Sequence, residues 1–165
     1  MPRATGVFGL GSRAMTRGSA AIALLLAALV AAGCGEDDAT TDQFREGYNA
    51  AIQQLNAVNT DIRESGEGVA TKPGPQIARE FNRIAETAAQ TRADLAELEP
   101  PERARGEFDE LLAAIEGGVA SLRAVANAAR KENRQQFRDA VEALSESGEE
   151  ISEAETELKD AVESD

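Results

Sequence analysis

The sequence contains no histidine and no tryptophan, a single cysteine and a single tyrosine. Each shortage removes a class of function. Without histidine the commonest general base is missing, and the Glu-x-x-His pairs that build a di-iron centre inside a helical bundle cannot be assembled. With Cys34 alone no intramolecular disulfide forms, so the fold has to rest on its core. Aromatic residues make up only 4% of the chain, which leaves Leu, Ile, Val and Ala to fill that core, a composition that suits packed helices better than a β-sandwich. No Asp-x-Asp-x-Asp-Gly calcium loop is present, and no Gly-rich phosphate loop follows a strand pattern. Among 30 acidic residues some carboxylate pair falls close by chance, so a glycosidase-like pair carries no weight. The expectation is a protein that is not an enzyme, with no catalytic residue, no metal site and no cofactor.

Basic residues are also scarce, 17 Lys and Arg against 30 Asp and Glu. Arg3, Arg13 and Arg17 precede Cys34 and every acidic residue follows it. From Cys34 onward 14 basic residues (17 less these three) therefore face all 30 acids, a net charge of −16. A surface so negative repels nucleic acid and anionic lipid headgroups, and no nucleic-acid partner is expected.

Residues 19–32 are uniformly apolar or small. The run is shorter than the roughly 20 residues needed to span a bilayer. It follows basic residues and ends in small ones, the order of a secretory signal. Met15 opens a more compact version of the same signal and is an alternative start. The segment closes on Val30-Ala31-Ala32-Gly33-Cys34. This resembles the lipobox of bacterial lipoproteins: Ala32, Gly33 and Cys34 match, whereas Ala31 stands where leucine is usual. The resemblance implies cleavage between Gly33 and Cys34, a diacylglyceryl group on the Cys34 sulfur, and anchoring of the protein on the extracytoplasmic face of the cell membrane. Two or more acyl chains, palmitate among them, would make that anchor stable. The alternative is a secreted protein cut by the ordinary signal peptidase.

Three segments follow: 1–33 as signal peptide, 34–41 as lipidated cysteine and flexible tether, and 42–163 as one helical domain. In the last of these, apolar residues recur at alternating spacings of three and four, the pattern of a helix packed on other helices. The first run is Phe44, Tyr48, Ala51, Leu55, Val58, Ile62, with Thr40 and Gln43 as a capping box. The second is Ile77, Phe81, Ile84, Ala88, Thr91, Leu95, Leu98, with Pro75 at its first position and Pro100-Pro101 as its stop. The third is Phe108, Leu111, Ile115, Gly118, Leu122, Val125, Ala129. The phase then slips by one residue, which places a tight turn at 130–133 and a second capping box at Asn133 and Gln136. The fourth is Phe137, Val141, Leu144, Gly148, Ile151, Leu158, Val162, interrupted by Glu155. Helices one and two are expected at about 36 Å, three and four at about 45 Å, from 1.5 Å per residue. Four such helices with short connections predict an all-α, antiparallel, up-and-down four-helix bundle. An extended hairpin or an oligomeric coiled coil is the rival.

The stretch Leu95-Ala-Glu-Leu98-Glu-Pro100-Pro101, followed by Phe108 and an Ala-rich helical pair, resembles the small uncharacterised helical membrane lipoproteins of actinobacteria. The resemblance spans most of the chain after Cys34 and carries little functional specificity. It implies a helical fold on the cell surface and no particular activity.

Two features invite a site. Gly118 and Gly148 fall at core positions, each at a cost of about 1 kcal/mol against alanine, and folding at the two turns brings Phe81 and Ile84 to the same level. Either Phe81 fills the space, in which case Gly118→Leu would overpack by ~1–3 kcal/mol, or Phe81, Ile84, Gly118 and Gly148 line a small apolar pocket. The second feature is the last helix, where ten acidic residues from Glu142 onward accompany only Lys159. Glu142, Glu146 and Glu150 stack at i, i+4, as do Glu149, Glu153 and Glu157, which weakens the helix locally. The plain reading is a solvated face; the functional one is an acidic docking face for a basic partner, or a weak cation site. The leading expectation is a non-catalytic module of the envelope that contacts another envelope protein. The alternative is a lipoprotein that binds a ligand in an apolar pocket between helices, and a spacer with no specific partner is a third. An apolar void near Gly118 would favour the ligand reading.

Overall fold

The computed structural model describes residues 36–164, with side-chain surroundings from Thr41 onward. The signal segment 1–33, the cleavage residues Gly33 and Cys34, and the Thr40 side chain lie outside the described residues. Every regular element among those described is helical: α1 (Glu36–Glu67), α2 (Gly74–Leu95), a 3-10 turn (Glu102–Ala104), α3 (Arg105–Arg130) and α4 (Arg134–Glu163). The chain from residue 34 onward forms a compact unit of its own.

The element ends follow local chemistry, with some departures from expectation. α1 begins at Glu36, so the segment expected as a tether is helical from that residue. The backbone of Thr40, expected as the cap, lies inside this helix. α2 starts as expected, with extended Pro73 as its cap and Pro75 in the first turn. It stops at Leu95 rather than running to Leu98, because Leu98 N–H turns back to the Leu95 carbonyl at 2.9 Å ahead of the two prolines. Pro101 opens the 3-10 turn and α3 follows at Arg105, so α3 has 26 residues and is shorter than expected.

The turn at 130–133 is where the phase slip put it. Asn133 accepts the Gln136 N–H at 3.0 Å, and Asn133 and Glu132 N–H reach back to the Ala128 and Ala129 carbonyls at 3.2 and 3.1 Å. This pair closes the helix as a Schellman motif, and Glu132 takes the left-handed position with φ of 53°.

Burial falls into two clusters. Val58, Phe81, Ile84, Leu122 and Val125 belong to one; Phe44, Leu55, Leu95, Phe108, Leu111 and Leu158 belong to the other. The start of α1 thus shares a cluster with the end of α2, the start of α3 and the end of α4. α3 is the central element, packed along its length on both α2 and α4, while α1 packs on α2 and has no comparable seam with α4. The stretch Glu102–Arg130 is also long and apolar enough to cross a membrane by length and composition; its apolar side chains are those packed against α2 and α4. Gly74 marks a close approach: a Cβ there would collide with the Ala129 carbonyl oxygen at the end of α3.

α4 is rotated from the expected setting. Its buried residues are Ala140, Ser147, Ala154, Leu158 and Val162, whereas Gly148 is exposed and Val141 is 43% exposed. The small residues Ala140, Ser147 and Ala154 recur every seven positions. Small side chains let helix axes approach closely, and α4 turns this stripe onto α3, where the Ser147 and Ser121 hydroxyls meet at 3.0 Å. At the other end Arg103 of the 3-10 turn donates from Nε and Nη2 to the Ala161 and Val162 carbonyls at 3.2 and 3.0 Å, which satisfies acceptors that a helix C-terminus leaves open.

Candidate functional site

The rotation of α4 has a consequence on its other flank. Because the helix turns its small residues onto α3, Leu144 and Ile151 are only partly buried, packed at the edges of the two core clusters, and Val141 is exposed. An open groove results between α1 and α4, with two separate depressions along it that share no lining residue.

The inner part is a cavity of about 310 Å3. Leu55, Val58 and Ile62 of α1, Leu122 of α3, and Leu144 and Ile151 of α4 form its walls, and its lining includes Gly118 and Gly148 but no charged residue. The two glycines contribute differently. A Cβ on Gly118 would lie 3.1 Å from Ile151 Cδ1, whereas one on Gly148 would meet nothing within 4 Å. Gly148 therefore stands at the open mouth and Gly118 on the wall.

This placement corrects half of the expected pocket. Gly118 and Gly148 border one cavity, but Phe81 and Ile84 are buried at 3% and 1% exposure in the core beside α3 and do not line it. Phe81 does not fill the space opposite the glycines. The expectation failed because it counted levels along the helix axes but not the rotation of α4 about its own axis. Gly148 is likewise no core residue.

The outer part, about 510 Å3, lies toward the end of the fold where α1 begins. Phe44, Tyr48 and Ile52 of α1 face Glu155, Thr156 and Lys159 of α4 there. Phe44 stacks with Tyr48 at 5.8 Å between ring centroids and meets Phe108 edge-on at 5.4 Å. Partial burial, together with the nearby Glu155 charge, pushes the Tyr48 phenol up to about 12, and burial raises the Glu155 carboxyl above the usual carboxylate range. Glu155 is the residue that broke the apolar pattern of the last helix; it borders the groove instead of the core.

The acidic residues Glu142, Glu146, Glu149, Glu150, Glu153 and Glu157 are all exposed. Glu150, Glu153 and Glu157 border a shallow depression with Glu110 across the α3–α4 seam. Among the described residues no cluster of three or more Asp, Glu, His or Cys is placed to hold a metal ion.

No family model matches the sequence, and neither a curated protein nor a solved structure matches it. The inner depression is lined mostly by aliphatic side chains, with Asn59, Ser145 and Ser147 among them, and the outer one by mixed polar and charged groups. That arrangement suits binding, since small-molecule sites are concave, mostly apolar, and carry a few polar groups that set orientation. The sequence signal that could have revealed the groove is the seven-residue repeat of small residues, Ala140-Ser147-Ala154, which competes with the larger apolar stripe for the buried face.

Proposed function

We propose that this chain is a lipid-anchored protein on the extracytoplasmic face of a bacterial cell membrane, a non-catalytic binding module. In this reading it is an antiparallel up-and-down four-helix bundle whose α1–α4 seam stays open to receive an apolar ligand. The signal-like segment 19–32 and Cys34 at its end support the anchor. The sharing of one core cluster by the start of α1, the end of α2, the start of α3 and the end of α4 supports the antiparallel bundle. The observation that carries the ligand reading is the inner cavity, about 310 Å3 with no charged lining residue, beside Gly118 and Gly148. That volume is at the lower end of the ~300–1,000 Å3 of known ligand sites.

A second reading, docking of an envelope protein, is favoured by the exposed apolar Val141 and the exposed acidic rows of α4. In-cell crosslinking of the anchored protein, with Cys34→Ala as the unanchored control, separates the two. Reproducible capture of one envelope protein, lost when Glu142, Glu149 and Val141 are changed, favours docking; its absence together with binding of a neutral apolar dye to the purified protein favours the ligand. The anchor itself is tested by metabolic labelling with an alkyne-tagged fatty acid. Label and membrane sedimentation are expected in the wild type and not in Cys34→Ala, and an unlabelled, soluble wild type would refute the anchor.

A further inference from the structure

We propose that the open side of α4 is a self-association surface, on which a second copy of this chain docks with its α4 antiparallel to the first. The proposal does not depend on a ligand in the inner depression; a second copy seated across Gly148 closes the mouth of that depression.

The surface is one side of a single helix. Arg134, Val141, Gly148 and Glu155 recur every seven positions along α4 (Arg134–Glu163) and so share that side. They border three separate depressions in turn: Arg134 with Arg138, then Val141 with Gly148, then Glu155 with Glu163. Arg134, Arg138, Gly148 and Glu163 are exposed. The acidic rows Glu142-Glu146-Glu150 and Glu149-Glu153-Glu157 lie farther round the helix and stay in solvent.

The two halves of this side carry opposite charge. Arg134 and Arg138 occupy the amino-terminal half, and among the described residues neither is in an ion pair. In the carboxy-terminal half Glu155, Asp160 and Glu163 outnumber Lys159. Arg45 of α1 lines the same depression, but its guanidinium lies 3.8 Å from Asp42. A two-fold axis through the middle of α4 sets the basic half of each copy on the acidic half of the other. Such a face is complementary to itself, which is what an isologous contact requires. Parallel pairing would set the two arginines against their own counterparts and the acids against theirs, and like-charge repulsion opposes it.

Gly148 stands at the middle of α4, where the axis passes. Nothing within the protomer demands glycine there: a Cβ would meet no atom within 4 Å, and glycine is disfavoured inside a helix relative to alanine. At a helix crossing the missing side chain lets the two axes approach closely. Val141, 43% exposed, and the partly buried Leu144 and Ile151 supply apolar contact on either side of it. Two-fold symmetry also leaves both amino-terminal ends at the same height when the axis lies along the membrane normal, so two copies anchored as proposed above reach one bilayer.

Sedimentation velocity over a concentration series tests the proposal on residues 34–165, which form a compact unit, with Cys34→Ala to remove acylation and disulfide pairing. A monomer–dimer equilibrium that weakens as salt rises is expected. Arg134→Glu with Arg138→Glu should weaken the dimer about tenfold, a difference of ~1.4 kcal/mol, and so should Glu155→Lys with Glu163→Lys. Circular dichroism of both reversed proteins should match the wild type. Mixing the two should restore a dimer, because each offers the charge that the other lacks. Chains carrying Arg134→Cys and chains carrying Glu163→Cys should form a mixed disulfide faster than either forms with itself, and the inverse order would overturn the antiparallel arrangement. A monomer at every concentration would overturn the proposal, as would a dimer that is indifferent to both reversals or is not restored by mixing.

Discussion

Gly118 and Gly148 border one groove yet answer the same substitution differently. Gly148→Ala adds a methyl that meets nothing within 4 Å and removes a helix-destabilising glycine, so chemical denaturation should show a gain of about 1 kcal/mol. Gly118→Leu meets Ile151 Cδ1 at once, at 3.1 Å, but Ile151 is only half-buried at the edge of the cavity and can rotate. The overpacking cost is therefore expected at the low end of its range, about 1 kcal/mol. A loss of several kcal/mol would mean that the wall cannot move. Two carboxyls carry opposite pH signatures. Glu80 is held below the usual range, mainly by its hydrogen bond from Lys72 at 2.7 Å and then by that from Gln76. Its stabilisation is present above the ordinary carboxylate value and lost as pH falls through its own lowered value. Glu155 is raised by burial, so the folded state binds its proton more tightly than the unfolded one. Stability from that group grows as pH falls through the raised value. Melting temperatures measured from pH 4 to 8 should show Glu155→Gln more stable than wild type near neutrality, with the advantage shrinking in acid; Glu80→Gln should show the reverse.

At the level of elements, two helix ends carry more than their sequence suggests. Glu132 sits at φ of 53°, a region that costs an ordinary L-residue roughly 1–2 kcal/mol and a glycine little. Glu132→Gly should therefore stabilise the α3–α4 turn by about 1 kcal/mol, read from the urea midpoint at unchanged slope. Arg103 ties the 3-10 turn to the last carbonyls of α4. Arg103→Ala should leave those carbonyls to solvent and fray the end of α4, seen as faster amide exchange at the C-terminal turn with a global loss of about 1 kcal/mol. The setting of α4 is decided by the same kind of contest. A stripe of larger apolar residues, Val141-Leu144-Ile151, and a stripe of small ones, Ala140-Ser147-Ala154, lie side by side on it. Close approach of α3 and α4 buries the small stripe, and the large stripe becomes the wall of the groove.

For the whole molecule, much was legible before any coordinate: helical class, four helical segments, the turn at 130–133 with its Asn133 cap, and the proline-marked breaks at Pro75 and Pro100-Pro101. These depend on period, breaker residues and caps, which are local properties carried by residues a few positions apart. The candidate site was legible only in part. Two of its glycines stood out as anomalies in an apolar pattern, but Phe81 and Ile84 were drawn to it wrongly, and Glu155 read as an interruption when it borders the groove. Periodicity identifies an apolar face without saying which neighbour covers it. That assignment depends on how closely two helix axes can approach, and the approach depends on side chains from both helices at once. Sequence alone thus determined the helices and their breaks; the tertiary structure decided that α4 belongs to α3 and leaves α1 across an open groove, because packing small residues against small residues draws two helices together at the expense of the third.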